Sequence, residues 1–285
     1  MKFVIALALL LSFSSNNLSA QDIDSPELDL HLNVLAGESY LYSVSVDQKM
    51  VQEIIGEQLE MNQKINADYK YTVESNDGES IKIKASCERM ELKVDYPGDQ
   101  IEYNSDIEGS DSRFSALDEL IGKPFYLFLD TRGNIYKTEG LKELGAVLKS
   151  NEFVKQLFTD SVLINSFNMD FYPASPVSIG ASWNKSAYIN LMNVQLQNDL
   201  NYTLEGTSED VAWININGDI TGLADNSDLK MDLKGSQTGI IETDLTSGLI
   251  SDANIQMEIE ASVQSLDLVS PMKLLSETQI SSRKL

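Results

Sequence analysis

Apolar and polar residues alternate with a period of two over most of this chain. In the run Tyr40-Leu41-Tyr42-Ser43-Val44-Ser45-Val46, the residues Tyr40, Tyr42, Val44 and Val46 share one side. Successive side chains of a strand point to opposite faces, so the run reads as a strand. From Leu59 onward Met61, Ile65, Ala67, Tyr69, Tyr71 and Val73 keep one parity, with Glu60, Asn62, Lys64 and Lys70 on the other. One apolar face and one wet face mark antiparallel strands rather than a parallel sheet covered on both sides. Turn signals separate the runs at Asn76-Asp77-Gly78-Glu79, Pro97-Gly98-Asp99, Thr131-Arg132-Gly133-Asn134 and Asp225-Asn226-Ser227-Asp228. The strands are long, which predicts a strongly curved sheet.

Two stretches break the rhythm. Asp111 to Gly122 predicts a short helix with Phe114, Leu117, Leu120 and Ile121 on one side, capped by Ser112 and ended by Gly122 and Pro124. A second helical region is predicted from about Leu141 to Phe167, where Leu141, Leu144, Val147, Leu148, Phe153, Leu157, Leu163 and Phe167 recur at helical spacing. Pro173 and Pro176 stop it.

The β-rich halves on either side look related. Gly37-Glu38-Ser39-Tyr40 recurs as Gly180-Ala181-Ser182-Trp183, and Asp68 to Glu74 recurs as Asp199 to Glu205. Ile81-Lys82-Ile83-Lys84 is echoed by Trp213-Ile214-Asn215-Ile216, and Leu129 to Ile135 by Thr243 to Leu249. The pairs keep one order along the chain, which points to an internal duplication. Asp130 and Asp244 then head equivalent hairpin turns and are turn formers rather than catalysts.

The expected fold class is all-β with a helical insert: two related antiparallel β units, a curved sheet or half-barrel, covered by short helices. The expected organisation is a signal peptide over 1–20, a first β-rich unit over 21–140 with its short helix near 112–122, a helical connection over 141–172, a second β-rich unit over 173–265, and a C-terminal tail over 266–285.

The signal peptide rests on Met1-Lys2, the apolar run Phe3 to Phe13, and the small residues Ser19 and Ala20 before Gln21. The apolar run is too short to span a bilayer, which needs roughly 20 residues. No Cys stands directly after Ala20, so a lipoprotein anchor is not expected. The address implied is the periplasm or the extracellular space, with no integral membrane span after cleavage.

Charge narrows the partners. Lys and Arg number 21 against 44 Asp and Glu, a net −23. Phosphates would be repelled, so no nucleic acid partner is expected, and anionic headgroups are excluded on the same ground. Solubility, or attraction of divalent cations or a basic partner, is what such a charge serves. The single cysteine, Cys87, cannot form an intramolecular disulfide. It shares a strand face with Ile81, Ile83 and Ala85 and reads as a buried core thiol.

Counting excludes most catalytic sets. The one histidine, His31 in Leu30-His31-Leu32, cannot make a zinc site or a triad without partners, and no Gly-x-Ser-x-Gly elbow is present. Ser270-Pro271-Met272-Lys273 matches Ser-x-x-Lys but lacks the companion elements that give the pattern meaning. No glycine-rich phosphate loop occurs. Acidic clusters at Asp106, Glu108 and Asp111, and at Asp225, Asn226 and Asp228, offer oxygen ligands for Ca²⁺ but without the register of a calcium loop, and read as solvated loops. Met50, Met61, Met90, Met192, Met231 and Met257 join Tyr40, Tyr42, Tyr69, Tyr71 and Tyr202 on strand faces. Such a lining suits an apolar chain in a sheet concavity, or an ordinary core.

The order of these elements resembles a family of uncharacterised secreted proteins of Gram-negative bacteria known only as a domain of unknown function. The matching residues are Gly37-Glu38-Ser39-Tyr40, the Gln52 to Gly56 hairpin, Ile121-Gly122-Lys123-Pro124-Phe125, Asp130-Thr131-Arg132-Gly133 and Pro176 to Trp183. The resemblance implies export and a two-part β architecture, and carries no activity or site. The expected function is therefore an exported, non-catalytic envelope protein that binds an apolar or lipid-like ligand in a sheet concavity. Alternatives are a structural or partner-binding envelope protein without a small ligand and, more remotely, a carboxylate-based hydrolase. No catalytic residue, metal ligand, ligand-binding residue or cofactor is nominated.

Overall fold

The computed structural model describes residues 27–285 except 109, 150–166, 168, 192–193, 226–229 and 266–267. The signal peptide expected over 1–20 lies outside the described residues, as does most of the stretch expected to continue the second helix. In chain order the strands are β1 (Ser39–Ile54), β2 (Glu57–Asn76), β3 (Ser80–Tyr96), β4 (Asp99–Asn104), β5 (Pro124–Asp130) and β6 (Ile135–Glu139). After helix α1 (Leu141–Lys149) come β7 (Ser182–Leu191), β8 (Val194–Thr207), β9 (Val211–Asp225), β10 (Lys230–Asp244), β11 (Ile250–Ser265) and β12 (Leu268–Lys284).

All belong to one open antiparallel sheet of 12 strands, ordered β6-β5-β3-β2-β1-β12-β11-β10-β9-β8-β7, with β4 paired to the lower part of β3. The period-two pattern sets which side of each strand is buried. On β1 Tyr40, Tyr42, Val46 and Met50 are buried while Asp47 and Lys49 are exposed. Buried residues from Ile101 on β4 to Trp183 on β7 form one core. Phe167, Met169, Phe171 and Tyr172, from the chain before β7, are buried in the same core.

Glycines permit close approach of neighbouring strands on this face. Gly218, Gly222, Gly235 and Gly239 fall at inward parity on β9 and β10, where atoms of neighbouring strands crowd in. A Cβ on Gly235 would lie 2.4 Å from the Glu258 carbonyl oxygen and 2.8 Å from Ile259 Cγ1. Gly235→Ala is expected to cost about 1–3 kcal/mol, the usual range for overfilling a packed interior. Urea denaturation measures it, and a loss below about 0.5 kcal/mol would show that the strands can separate freely there.

Two expectations need correction, the tail and the helix cap. The segment 266–285 is no tail: β12 sits at the centre of the sheet, paired with β1 from Tyr40↔Lys284 to Gln52↔Met272 and with β11 on its other side. Its inward positions are Ser270, Met272, Leu274, Ser276, Thr278, Ile280 and Ser282, and the hydroxyl residues among them dilute the apolar alternation. The short helix expected near 112–122 forms as a 3-10 helix, Ser112–Glu119. Its cap is Asp111, whose side chain accepts from Arg113 N at 2.9 Å, not Ser112. The helical region from Leu141 is described only as α1, with Leu141, Leu144 and Leu148 buried, and as a helical Phe167.

Both Asp-headed turns form as expected. Asp130 Oδ1 accepts from the backbone of Arg132 and Asn134, and Asp244 Oδ1 accepts from Ser247 N and Oγ. The two turns hold the segment leading into β1: Leu32 N donates to Thr131 O and Asn33 N to Ser247 O. Among the described residues no helix is long and apolar enough to cross a membrane.

Candidate binding site on the inner sheet face

Strand register assembles the site. One inward row crosses the sheet through Gln63 (β2), Gln48 (β1), Ser276 (β12), Met257 (β11), Gln237 (β10), Gly218 (β9), Leu200 (β8) and Lys185 (β7). Amides thus occupy positions where the period predicts apolar side chains. Gln48 Nε2 donates to Ser276 Oγ at 3.1 Å. Asn198, one inward position along β8, donates through Nδ2 to Gln237 Oε1 at 3.1 Å. That bond passes over β9 at Gly218, where no side chain stands between them. Toward the β1–β2 hairpin the next row is apolar: Met50 pairs with Met61 and with Leu274, and Leu274 with Ile259.

At the other end of the inner face the chain supplies its own filling. Phe167 meets Tyr69 edge-on and Phe125 at a tilt, with ring centroids 5.2 and 4.8 Å apart. Met169, Phe171 and Tyr172 are buried, and Trp183 Nε1 donates to Phe171 O at 2.7 Å. Asp170 forms a buried ion pair with Lys185, Nζ to Oδ1 at 2.5 Å. Burial pushes the Asp170 carboxyl above its usual range even beside that ammonium, so desolvation outweighs attraction.

The residues weighed for chemistry do not converge. His31 Nδ1 lies 2.8 Å from the Asp29 carbonyl oxygen and 3.4 Å from its carboxylate. Cys87 is buried, and desolvation pushes its thiol up to about 12, which leaves it protonated and inert. Ser270 is buried and donates to Glu53 O, whereas Lys273 pairs with Glu258 among exposed residues, so the Ser-x-x-Lys pair is split across two faces of β12. Asp106 is engaged by Arg89 and Asp111 by Arg113. Among the described residues no three His, Cys, Asp or Glu side chains gather to hold a metal ion. Of the second acidic cluster, Asn226 and Asp228 lie outside the described residues, as does Met192. Tyr40, Tyr42, Tyr71, Tyr202, Met50, Met61, Met90 and Met257 are buried, with Tyr69 and Met231 packed against the same core.

Sequence reasoning missed the amide row and the Asp170–Lys185 pair. The signal for both was present as a polar residue at apolar parity: Gln48 between Val46 and Met50, Gln63 between Met61 and Ile65, Lys185 between Trp183 and Ala187. A groove of about 390 Å³ crosses the outer face, but its walls include Asp47, Lys49, Glu258 and Glu277 with the short hydroxyls of Ser236 and Thr238.

One carboxylate ties the start of β1 to the end of β12. Glu38 accepts from Lys284 Nζ, from the Tyr40 hydroxyl at 2.5 Å and from Leu35 N at 3.0 Å. Lys284 first, then Tyr40, holds the Glu38 carboxyl at about 2, well below the ordinary 4.5. A lowered carboxyl adds stability above its ordinary value and loses it as pH falls through its value in the fold. Glu38→Gln is therefore expected to flatten the stability–pH curve between pH 4.5 and about 2. Denaturation across that window checks it, and an unchanged slope would show that Glu38 carries none of the acid sensitivity.

Fold and site together define an open antiparallel β-sheet protein with a core that holds polar groups at mid-height. The chain belongs to a family of unknown function, DUF6263, whose profile matches residues 77–250. No curated protein matches it. Among solved structures it is similar to lipovitellin, in a structure concerned with lipid–protein interactions, at 12% identity and a TM-score of 0.50 over 87% of this chain. The chain spans 25% of that lipovitellin chain, and at this identity the likeness is one of fold alone. The COG4313 outer membrane channel from Pseudomonas putida F1 aligns with 93% of this chain and all of its own, at 6% identity and a TM-score of 0.25. Salmonella typhi OmpF aligns with 86% of this chain and 98% of its own, at 7% identity and a TM-score of 0.27. Scores that low carry no argument.

Proposed function

We propose that this is an exported, non-catalytic protein, cleaved after Ala20, that binds an apolar molecule on the inner face of its open sheet. The observation that carries the reading is the methionine lining of that face: Met50, Met61 and Met257 are buried there, with Met231 and Met272 partly buried against the same core. Unbranched thioethers adapt to ligands of varied shape. The fold it shares with lipovitellin is compatible with such a role. Native mass spectrometry of the protein purified gently from its own host tests the reading. A mass beginning at Gln21, with a discrete apolar adduct lost on denaturation, supports it; a clean apo mass counts against a tightly held ligand.

We also infer that the sheet arose by duplication, β1-β2-β3 matching β7-β8-β9. Ser39 Oγ meets Thr72 Oγ1 at 3.0 Å, and Ser182 Oγ meets Thr203 Oγ1 at 2.8 Å. Gly37 N donates to Val73 O as Gly180 N does to Leu204 O, and a register shift follows in each pair, at Val73/Ser75 and Leu204/Gly206.

A second reading, a partner-binding envelope protein with no small ligand, is favoured by one end of the sheet. Ile55, Leu223 and Val269 lie at or near hairpins on the same end and are 83%, 64% and 58% exposed. Apolar side chains offered together at one end suit contact with another envelope component.

A further inference from the structure

Three amides of the inner face carry polar atoms that have no partner among the described residues: Gln63 Nε2, Gln237 Nε2 and Asn198 Oδ1. Their residues are 4%, 1% and 3% exposed. Buried amide groups without partners are costly, and in native proteins such groups are met by ordered water or by a ligand. Exchanging oxygen and nitrogen on both Asn198 and Gln237 keeps their mutual bond and still leaves one donor and one acceptor unmet. The unmet set therefore contains both kinds of group.

That mixture selects a ligand chemistry. A carboxylate or phosphate, which only accepts, would face an amide oxygen it cannot satisfy, and Lys185, the one cation in the row, is engaged by Asp170. A hydroxyl or a secondary amide both accepts and donates, and so can meet such a set. Beside the amides, toward the β1–β2 hairpin, Met50, Met61 and Leu274 make an apolar wall, and Met272 and Met231 beyond them are only partly buried. A molecule lying along this wall would be polar at one end and apolar along its length.

We propose that the amide row of Gln63, Gln237 and Asn198 binds the uncharged hydroxyl or amide head of a single-chain amphiphile, its tail lying on Met50 and Met61 toward the hairpin end. This rests on the reading that the inner face binds an apolar molecule. Ligand specificity then comes from the row, because a head that cannot both donate and accept leaves a buried amide unpaired.

Competition against the fluorescent apolar probe N-phenyl-1-naphthylamine, using the mature chain, tests the proposal. 1-Dodecanol and N-methyldodecanamide are expected to displace the probe at roughly tenfold lower concentration than 1-chlorododecane, as one or two hydrogen bonds warrant. Laurate should show no such advantage. Gln63→Leu and Gln237→Leu should each reduce the advantage of 1-dodecanol over 1-chlorododecane to about threefold or less. Equal displacement by 1-dodecanol and 1-chlorododecane in the unaltered protein, or leucine variants that keep the full preference, would overturn the proposal and assign the amides to bound water. Failure of the probe itself to bind would overturn it together with the reading on which it rests. The unaltered protein's ligand series decides the matter even if a variant fails to fold.

Discussion

Asp170→Ala is expected to lower the stability of the fold by about 3–5 kcal/mol, the range for stripping one partner from a buried ion pair. The Lys185 side chain is 5% exposed and that of Asp170 9%, so the ammonium left behind could neither reach water nor find another carboxylate at 2.5 Å. The damage would spread, because Asp170 and Phe171 fasten the chain before β7 onto the inner face through Lys185 and Trp183 Nε1. The pair is not thereby a net source of stability, since burial already raises the Asp170 carboxyl despite Lys185. Adding Lys185→Met to Asp170→Ala should accordingly recover most of the loss. Urea denaturation of the single and double variants decides it: a double variant less stable than the single would mean that Lys185 is held by something other than this carboxylate.

Gly248→Ala is expected to cost roughly 2–4 kcal/mol, from a left-handed backbone and a collision together. Gly248 has φ +73, and a Cβ there would sit 2.0 Å from the His31 carbonyl oxygen and 2.8 Å from Leu32 Cα. The strand-entry segment would have to move, and with it Leu30, Leu32 and Val34, which are 2%, 1% and 1% exposed. Gly98→Ala separates the two contributions, because Gly98 has φ +91 with nothing within 4 Å of the added Cβ. That variant should lose only about 1–2 kcal/mol. Equal losses at the two sites would show that the segment over Gly248 yields without cost.

The turns were legible because their chemistry is local. Asp130 and Asp244 hydrogen-bond within four residues of themselves, so a short window of sequence contains the whole reason for the bend. The 3-10 helix was half legible: Phe114 and Leu117 are buried as their spacing predicts, but Asp111 competes with Ser112 for the cap and is in addition tied to Arg113. The candidate site was not legible as a site. Gln48 meets Ser276 across 228 positions and Asn198 meets Gln237 across 39, and no local pattern pairs residues so far apart.

What the sequence by itself determined is the strand character of the chain, the buried side of most strands and the places where it turns. These follow from the pleat, which sends residues i and i+2 to one face whatever their distant neighbours are. The tertiary structure alone decided that β12 closes the centre of the sheet beside β1, that one row of amides crosses the core, and that Lys185 is buried with Asp170. Each of those depends on which strands become neighbours and in what register, and a shift of one residue would have turned the same side chains out into water.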